Sequence, residues 1–211
     1  MESNTNYSED LKIIKKIMEE SSRFLSLSGL SGILTGLIAL IGAFVAYFFI
    51  LDSRLLLSDE YFSALSPEGL RILRTALIAD LMLVLISAIV TALYFSYRKS
   101  LRQGLKFWTP VSKRLVINVL VPLITGGIFI IIICYQDHWQ LIVPGMLIFY
   151  GLALVNAGKF TYSEVFYLGL IEILTGLLCI IFPSFGLLFW SFGFGILHII
   201  YGLILYRKYE G

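Results

Sequence analysis

VFYLGLIEILTGLLCIIFPSFGLLFWSFGFGILHIIYGLILY, residues 165–206, is the stretch whose reading decides the fold. Its only Asp, Glu, Lys, Arg or His residues are Glu172 and His198, and its one helix breaker is Pro183. A hydrocarbon core about 30 Å thick takes about 20 apolar residues as a single helix. The stretch therefore reads as two spans, 165–182 and 184–206, folded back on each other at Pro183. Working outward, four further segments qualify: 28–51, 76–96, 115–135 and 139–156. Only Gln136-Asp137-His138 joins the third to the fourth, so these also form a hairpin. Four longer helices would bury Asp137 or the Pro183–Ser184 break in lipid, where an unpaired backbone or charge is costly. The expected fold is all-α and polytopic, with six transmembrane helices arranged as three helical hairpins.

Composition agrees. Of 211 residues, 58% are apolar and 14% charged, against about 45–50% and about 25% in soluble domains. That excludes a disordered chain, a disulfide-stapled secreted domain and a basic nucleic-acid binder. Residues 1–27 read as a cytoplasmic tail whose Leu11, Ile14, Ile17, Met18 and Leu25 make an amphipathic helix lying on the inner surface. Residues 28–206 form the transmembrane domain and 207–211 a cytoplasmic C-terminus. The first apolar run starts after a polar tail and is too long for the core of a signal peptide, so it is expected to stay as the first span. In the loop 52–75, Ser66-Pro67-Glu68 reads as an N-cap with proline at the first helical position.

Basic residues set the orientation. Lys12, Lys15, Lys16, Arg23, Arg98, Lys99, Arg102, Lys106, Lys113, Arg114, Lys159, Arg207 and Lys208 fall on one side; Arg54, Arg71 and Arg74 fall on the other. Both termini are therefore expected in the cytoplasm. Arg98, Lys99, Arg102, Lys106, Lys113 and Arg114 would meet the anionic inner leaflet, at about 1 kcal/mol each. Cys134 and Cys179 read as small packing residues, with a disulfide between them left open.

Three helices share a string: Ile33-Leu34-Thr35-Gly36, Leu123-Ile124-Thr125-Gly126 and Ile173-Leu174-Thr175-Gly176. Their partners also correspond. Phe149-Tyr150-Gly151-Leu152-Ala153-Leu154 matches Ile200-Tyr201-Gly202-Leu203-Ile204-Leu205, and Tyr97-Arg98-Lys99 matches Tyr206-Arg207-Lys208. The pattern predicts three tandem hairpins related about an axis along the membrane normal. Hairpins with Gly-x-x-x-small stripes, ending in Gly176, Pro183, Gly195 and Tyr201-Gly202, resemble the HdeD-like bacterial membrane proteins. That resemblance implies a bacterial inner-membrane location and a role in acid or envelope stress. The stretch from Met18 to Gly32 also resembles the opening of a bacterial six-helix membrane family, which implies no reaction.

Ionisable groups inside a span are functional suspects by default. Glu172 lies between Gly169 and Gly176, and His198 between Gly195 and Gly202, at −3 and +4 in both cases. Each therefore sits on a glycine-lined face that a neighbouring helix can approach. Gly32 and Gly36 make a similar stripe. Both ionisable groups lie about 12 Å above the inner interface at about 1.5 Å per residue, so a Glu172–His198 pair is expected. Tyr150, Asn156 and Tyr201 are candidate accessories, and Asp80 is expected to make an interfacial contact near Arg74. Gly193-Phe194-Gly195 reads as packing.

One string bears on catalysis. Gly29-Leu30-Ser31-Gly32 together with His198 resembles the serine–histidine pair of rhomboid intramembrane proteases. It departs from that family because Ser31 lies in the first span and His198 lacks a glycine at +3. No metal cluster or cofactor motif appears. The leading expectation is a non-enzymatic membrane protein with a structural, sensory or stress-related role, without cofactor. The second is a small transporter or proton-coupled channel using Glu172 and His198, and the third an intramembrane protease. A homo-oligomer and a small-molecule substrate stay open.

Overall fold

The computed structural model describes residues 24, 26–51 and 65–210. The expected tail helix, with Lys12, Lys15, Lys16 and Arg23, and Arg54 of the long loop lie outside the described residues. Six helices are long and apolar enough to cross a membrane: α1 Gly29–Ile50, α2 Pro67–Arg102, α3 Pro110–Tyr135, α4 Trp139–Gly158, α5 Ser163–Ile181 and α6 Pro183–Tyr209. The described residues contain no strand. The protein is an all-α polytopic membrane protein.

Local chemistry sets the helix ends. Ser66 Oγ accepts the Gly69 N–H at 3.1 Å with Pro67 in the first turn. A capping box joins Thr109 and Ser112 ahead of α3. These caps satisfy donors that the first helical turn leaves free. At 36 residues α2 is about 54 Å long, so it overshoots the expected span 76–96 at both ends. It runs on to Arg102 and is capped by Gln103, after which Gly104 takes a φ of +64° that side chains disfavour. Asp137 turns α3 into α4 with a φ of +61°, which Asp tolerates better than most residues.

The tightest helix pairs are not all hairpin partners. Helix α4 packs most extensively against α5, and α6 lies against α1 far more than against α5. Glycines explain both contacts. A Cβ at Gly169 would stand 2.7 Å from Gly151 O, and one at Gly29 would stand 2.6 Å from Gly202 O. A Cβ at Gly176 would stand 2.7 Å from Ile148 Cγ1, and one at Gly36 would stand 2.7 Å from Ile199 Cγ1. Backbones at such separations tolerate only hydrogen at the crossing, and close van der Waals packing is what holds helices together in lipid. Residues 29 and 36 of α1 thus meet 202 and 199 of α6 as 169 and 176 of α5 meet 151 and 148 of α4. The outer faces of α2 and α3, with Leu83 and Ile131 among the most exposed side chains, carry the apolar surface that lipid covers.

The end of the bundle bearing both helix termini, α1 start and α6 finish, corrects one expectation. Lys99 does not face lipid headgroups: it is 8% exposed. Its Nζ donates to Leu27 O at 2.7 Å and pairs with Glu210 Oε1 at 3.0 Å. Glu210 in turn accepts the Gly29 N–H at 2.7 Å, capping α1. A cation survives inside only when paired, and the free amide at the α1 N-terminus holds the carboxylate that pairs it. Tyr162 stacks on Tyr209 beside this clasp, with ring centroids 4.2 Å apart. Burial, then Tyr209, Glu210 and Glu164, push its hydroxyl up to about 12, so it stays neutral. Arg98, Arg102, Lys106, Lys113 and Arg114 are exposed. Cys134 and Cys179 are both free thiols.

Candidate functional site

Helices α4, α5 and α6 bring three of the singled-out side chains together. His198 Nδ1 lies 3.0 Å from Gly193 O and 3.5 Å from Glu172 Oε1. Tyr150 Oη lies 2.7 Å from His198 Nε2. A carbonyl can only accept, so Nδ1 carries a proton toward Gly193. In the neutral ring Nε2 then accepts from the Tyr150 hydroxyl. Both ring nitrogens are occupied and the imidazole is fixed in orientation.

Glu172 is in a different position. Its side chain is fully buried, and neither carboxyl oxygen has a hydrogen-bond partner among the described residues. The 3.5 Å approach to His198 is an ion-pair distance without a hydrogen bond, because the Nδ1 proton is directed to the nearer carbonyl. An unpartnered buried polar group costs about 1–3 kcal/mol, and more when charged. The site therefore holds one exchangeable proton awkwardly: as a neutral acid beside a neutral ring, or as a carboxylate beside an imidazolium.

The local fold of α6 makes this arrangement. The helix widens to π geometry over Ser191–Leu197, a form that recurs at functional sites. Gly193 lies within it, and a Cβ there would stand 2.6 Å from Glu172 Oε2. Gly193 is thus part of the site through both its carbonyl and its missing side chain, besides packing closely on Leu147 as Gly195 packs on Leu40. The signal was the Gly-x-x-x-x-His spacing, which an α-helical wheel does not place on one face.

Trp190, Phe194 and His198 follow at i, i+4 and i+8 along α6. Trp190 and Phe194 centroids lie 4.5 Å apart, and Tyr150 and Phe194 centroids 5.2 Å apart. Trp190 is also in the wall of a cavity of about 620 Å³ between α1, α2, α4 and α6, at the end of the bundle carrying residues 136–138. The aromatic stack therefore runs from the wall of this cavity to His198, whose ring centroid lies 6.2 Å from that of Phe194.

The other candidates fall elsewhere. Asn156 Oδ1 accepts from Lys159 Nζ at 3.2 Å near the opposite end of α4. Tyr201 packs on a cluster of Ala157, Tyr162, Val165 and Leu205. Asp80 lines the cavity, but Arg74 pairs instead with Asp137 at 2.7 Å and lies over the Trp139 ring at 4.5 Å. Ser31 Oγ donates to Ser28 O at 2.6 Å, and with both His198 nitrogens engaged the two do not form a nucleophile–base pair. No three His, Cys, Asp or Glu among the described residues are grouped to hold a metal. Comparison with family models, curated proteins and solved structures finds no match.

Proposed function

We propose that the chain is a non-enzymatic bacterial inner-membrane protein, both termini cytoplasmic, that couples a proton on Glu172 and His198 to passage of a small solute. The outward cavity is the solute's way in, and the Trp190–Phe194–Tyr150 layer is the gate above the proton site. One observation carries this reading: the buried carboxyl of Glu172 has no hydrogen bond among the described residues. Polar residues kept only to fasten helices earn their place through hydrogen bonds made. Among the described residues Glu172 makes none, while Gly193 and Tyr150 fix an ionisable imidazole 3.5 Å from it. A proton-responsive pair also suits the acid-stress role that the HdeD-like resemblance implies. The matched packing of α1 on α6 and α5 on α4 supports descent from a repeated hairpin, with Arg98, Arg102, Lys106, Lys113 and Arg114 anchoring the inner face on anionic lipid.

Proteoliposomes loaded with a pH-sensitive dye test the proposal. A panel of organic cations, organic anions, zwitterions and sugars is added outside under an imposed proton gradient. Solute-evoked proton movement in the wild type that Glu172→Gln abolishes is the expected result. The reading fails if no solute evokes proton movement; if both Glu172→Leu and His198→Leu then also melt earlier than the wild type, the pair is packing glue.

A further inference from the structure

The cavity at the outward end holds a charge that no described residue answers. We infer that it binds an amphiphilic organic monocation, with Asp80 as the counter-charge. Its volume of about 620 Å³ falls inside the range of about 300–1,000 Å³ typical of small-molecule sites. Its walls are apolar, with Leu73, Leu77, Leu81, Val143 and Met146 among them, and Trp190 offers a ring.

The charges in the lining select the ligand. Arg74 is spent twice, on Asp137 at 2.7 Å and on the Trp139 face at 4.5 Å. Asp80 makes no hydrogen bond or ion pair with any described residue. It sits about 9 Å further into the bundle than Arg74, six residues along α2 at about 1.5 Å each. Its carboxyl lies against α1, where a Cβ at Gly42 would stand 3.6 Å from Asp80 Oδ2, an ordinary contact distance. A lone carboxylate at membrane depth is expensive. A cation that brings its own hydrocarbon answers the carboxylate and the apolar walls together, and Trp190 adds a cation–π face.

Other ligand classes fit less well. An anion would meet Asp80 and Asp137 with the guanidinium already paired. A neutral amphiphile leaves Asp80 unanswered. A metal ion would need several hard oxygen ligands or a His/Cys set, and the described residues offer no such group. Binding here needs no proton step. Only the identification of this cation with the transported solute rests on the reading in the preceding subsection.

The test is equilibrium binding of radiolabelled tetraphenylphosphonium to the purified full chain in detergent, with tetraphenylborate as its shape-matched anion. Saturable one-site binding is expected, with tetraphenylborate at least a hundredfold weaker. Asp80→Asn is expected to weaken tetraphenylphosphonium at least tenfold, and Asp80→Glu to restore most of it. Glu164→Gln, which removes a carboxylate at the cytoplasmic end, is expected to leave binding as in the wild type. Equal binding of the two ions, or full affinity in an Asp80→Asn protein that melts like the wild type, overturns the inference. Asp80-dependent binding without solute-evoked proton movement sinks the transport reading and leaves this site standing. Proton movement without Asp80-dependent binding does the reverse.

Discussion

Gly151→Ala and Gly202→Ala should destabilise the protein by the same amount, although the two positions lie on different helices. A Cβ at Gly151 would stand 2.7 Å from Gly169 O and Ile173 Cγ1 and 2.8 Å from Ile173 N. One at Gly202 would stand 2.7 Å from Gly29 O and 2.8 Å from Gly32 C, and also meets Ile33 N. Normal contact begins about 0.7 Å further out at Gly151 and somewhat further at Gly202, where Ile33 N is the nearest atom, so each helix pair must separate by at least that much. A radial gap of 0.5–1 Å forfeits about a quarter to a half of each contact's dispersion well along the whole crossing. The cost should lie near the upper end of the range of about 1–3 kcal/mol for overpacking, since the obstructing atoms are backbone. Gly127→Ala is the control. No described atom beyond its own stretch of helix lies within 4 Å of its added Cβ, and a mid-helix Gly→Ala there should stabilise by about 0.5–1 kcal/mol. Reversible unfolding in mixed micelles, followed by circular dichroism, reads all three. Gly151→Ala as stable as Gly127→Ala would refute the close-packing account, and a gap of more than about 1 kcal/mol between Gly151→Ala and Gly202→Ala would refute the equivalence of the two interfaces.

Further outcomes rest on the buried polar contacts and on the distribution of basic residues. Glu172→Leu should leave stability unchanged or raise it by about 1–3 kcal/mol, because it removes an unpartnered buried carboxyl. His198→Leu and Tyr150→Phe should each lower it by about 0.6–2 kcal/mol through a lost interhelical hydrogen bond; melting curves showing the opposite order would contradict the site as described. Lys99→Met should cost about 3 kcal/mol by stranding Glu210 at the α1 N-terminus, and Glu210→Gln less, because the amide oxygen still accepts from Gly29; equal losses would argue against the clasp. A C-terminal alkaline-phosphatase fusion should be inactive, and activity would reverse the topology.

The membrane architecture was legible in the residues alone. Apolar runs of spanning length, the Gln136-Asp137-His138 and Pro183 breaks and the Ser66 cap each act within a few residues of chain, so local composition suffices to place them. The nearness of Glu172 to His198 was legible too, since both lie at matched depth on adjoining helices. What composition and helical spacing could not carry was how each group is satisfied. Lys99 counts as one of many surface cations until the fold brings Glu210, 111 positions away, beneath it. The spacing of Gly193 from His198 means little on an α-helical wheel and acquires sense only once α6 widens to π geometry. That α6 chooses α1 over its hairpin partner α5, and that Glu172 is left without a donor while Asp80 opens onto a cavity, depend on interhelical distances of a few ångströms. Depth in a bilayer is set by counting residues along one helix; hydrogen bonds and cavities are set by backbones from three or four helices meeting at once, and that is decided in the tertiary structure.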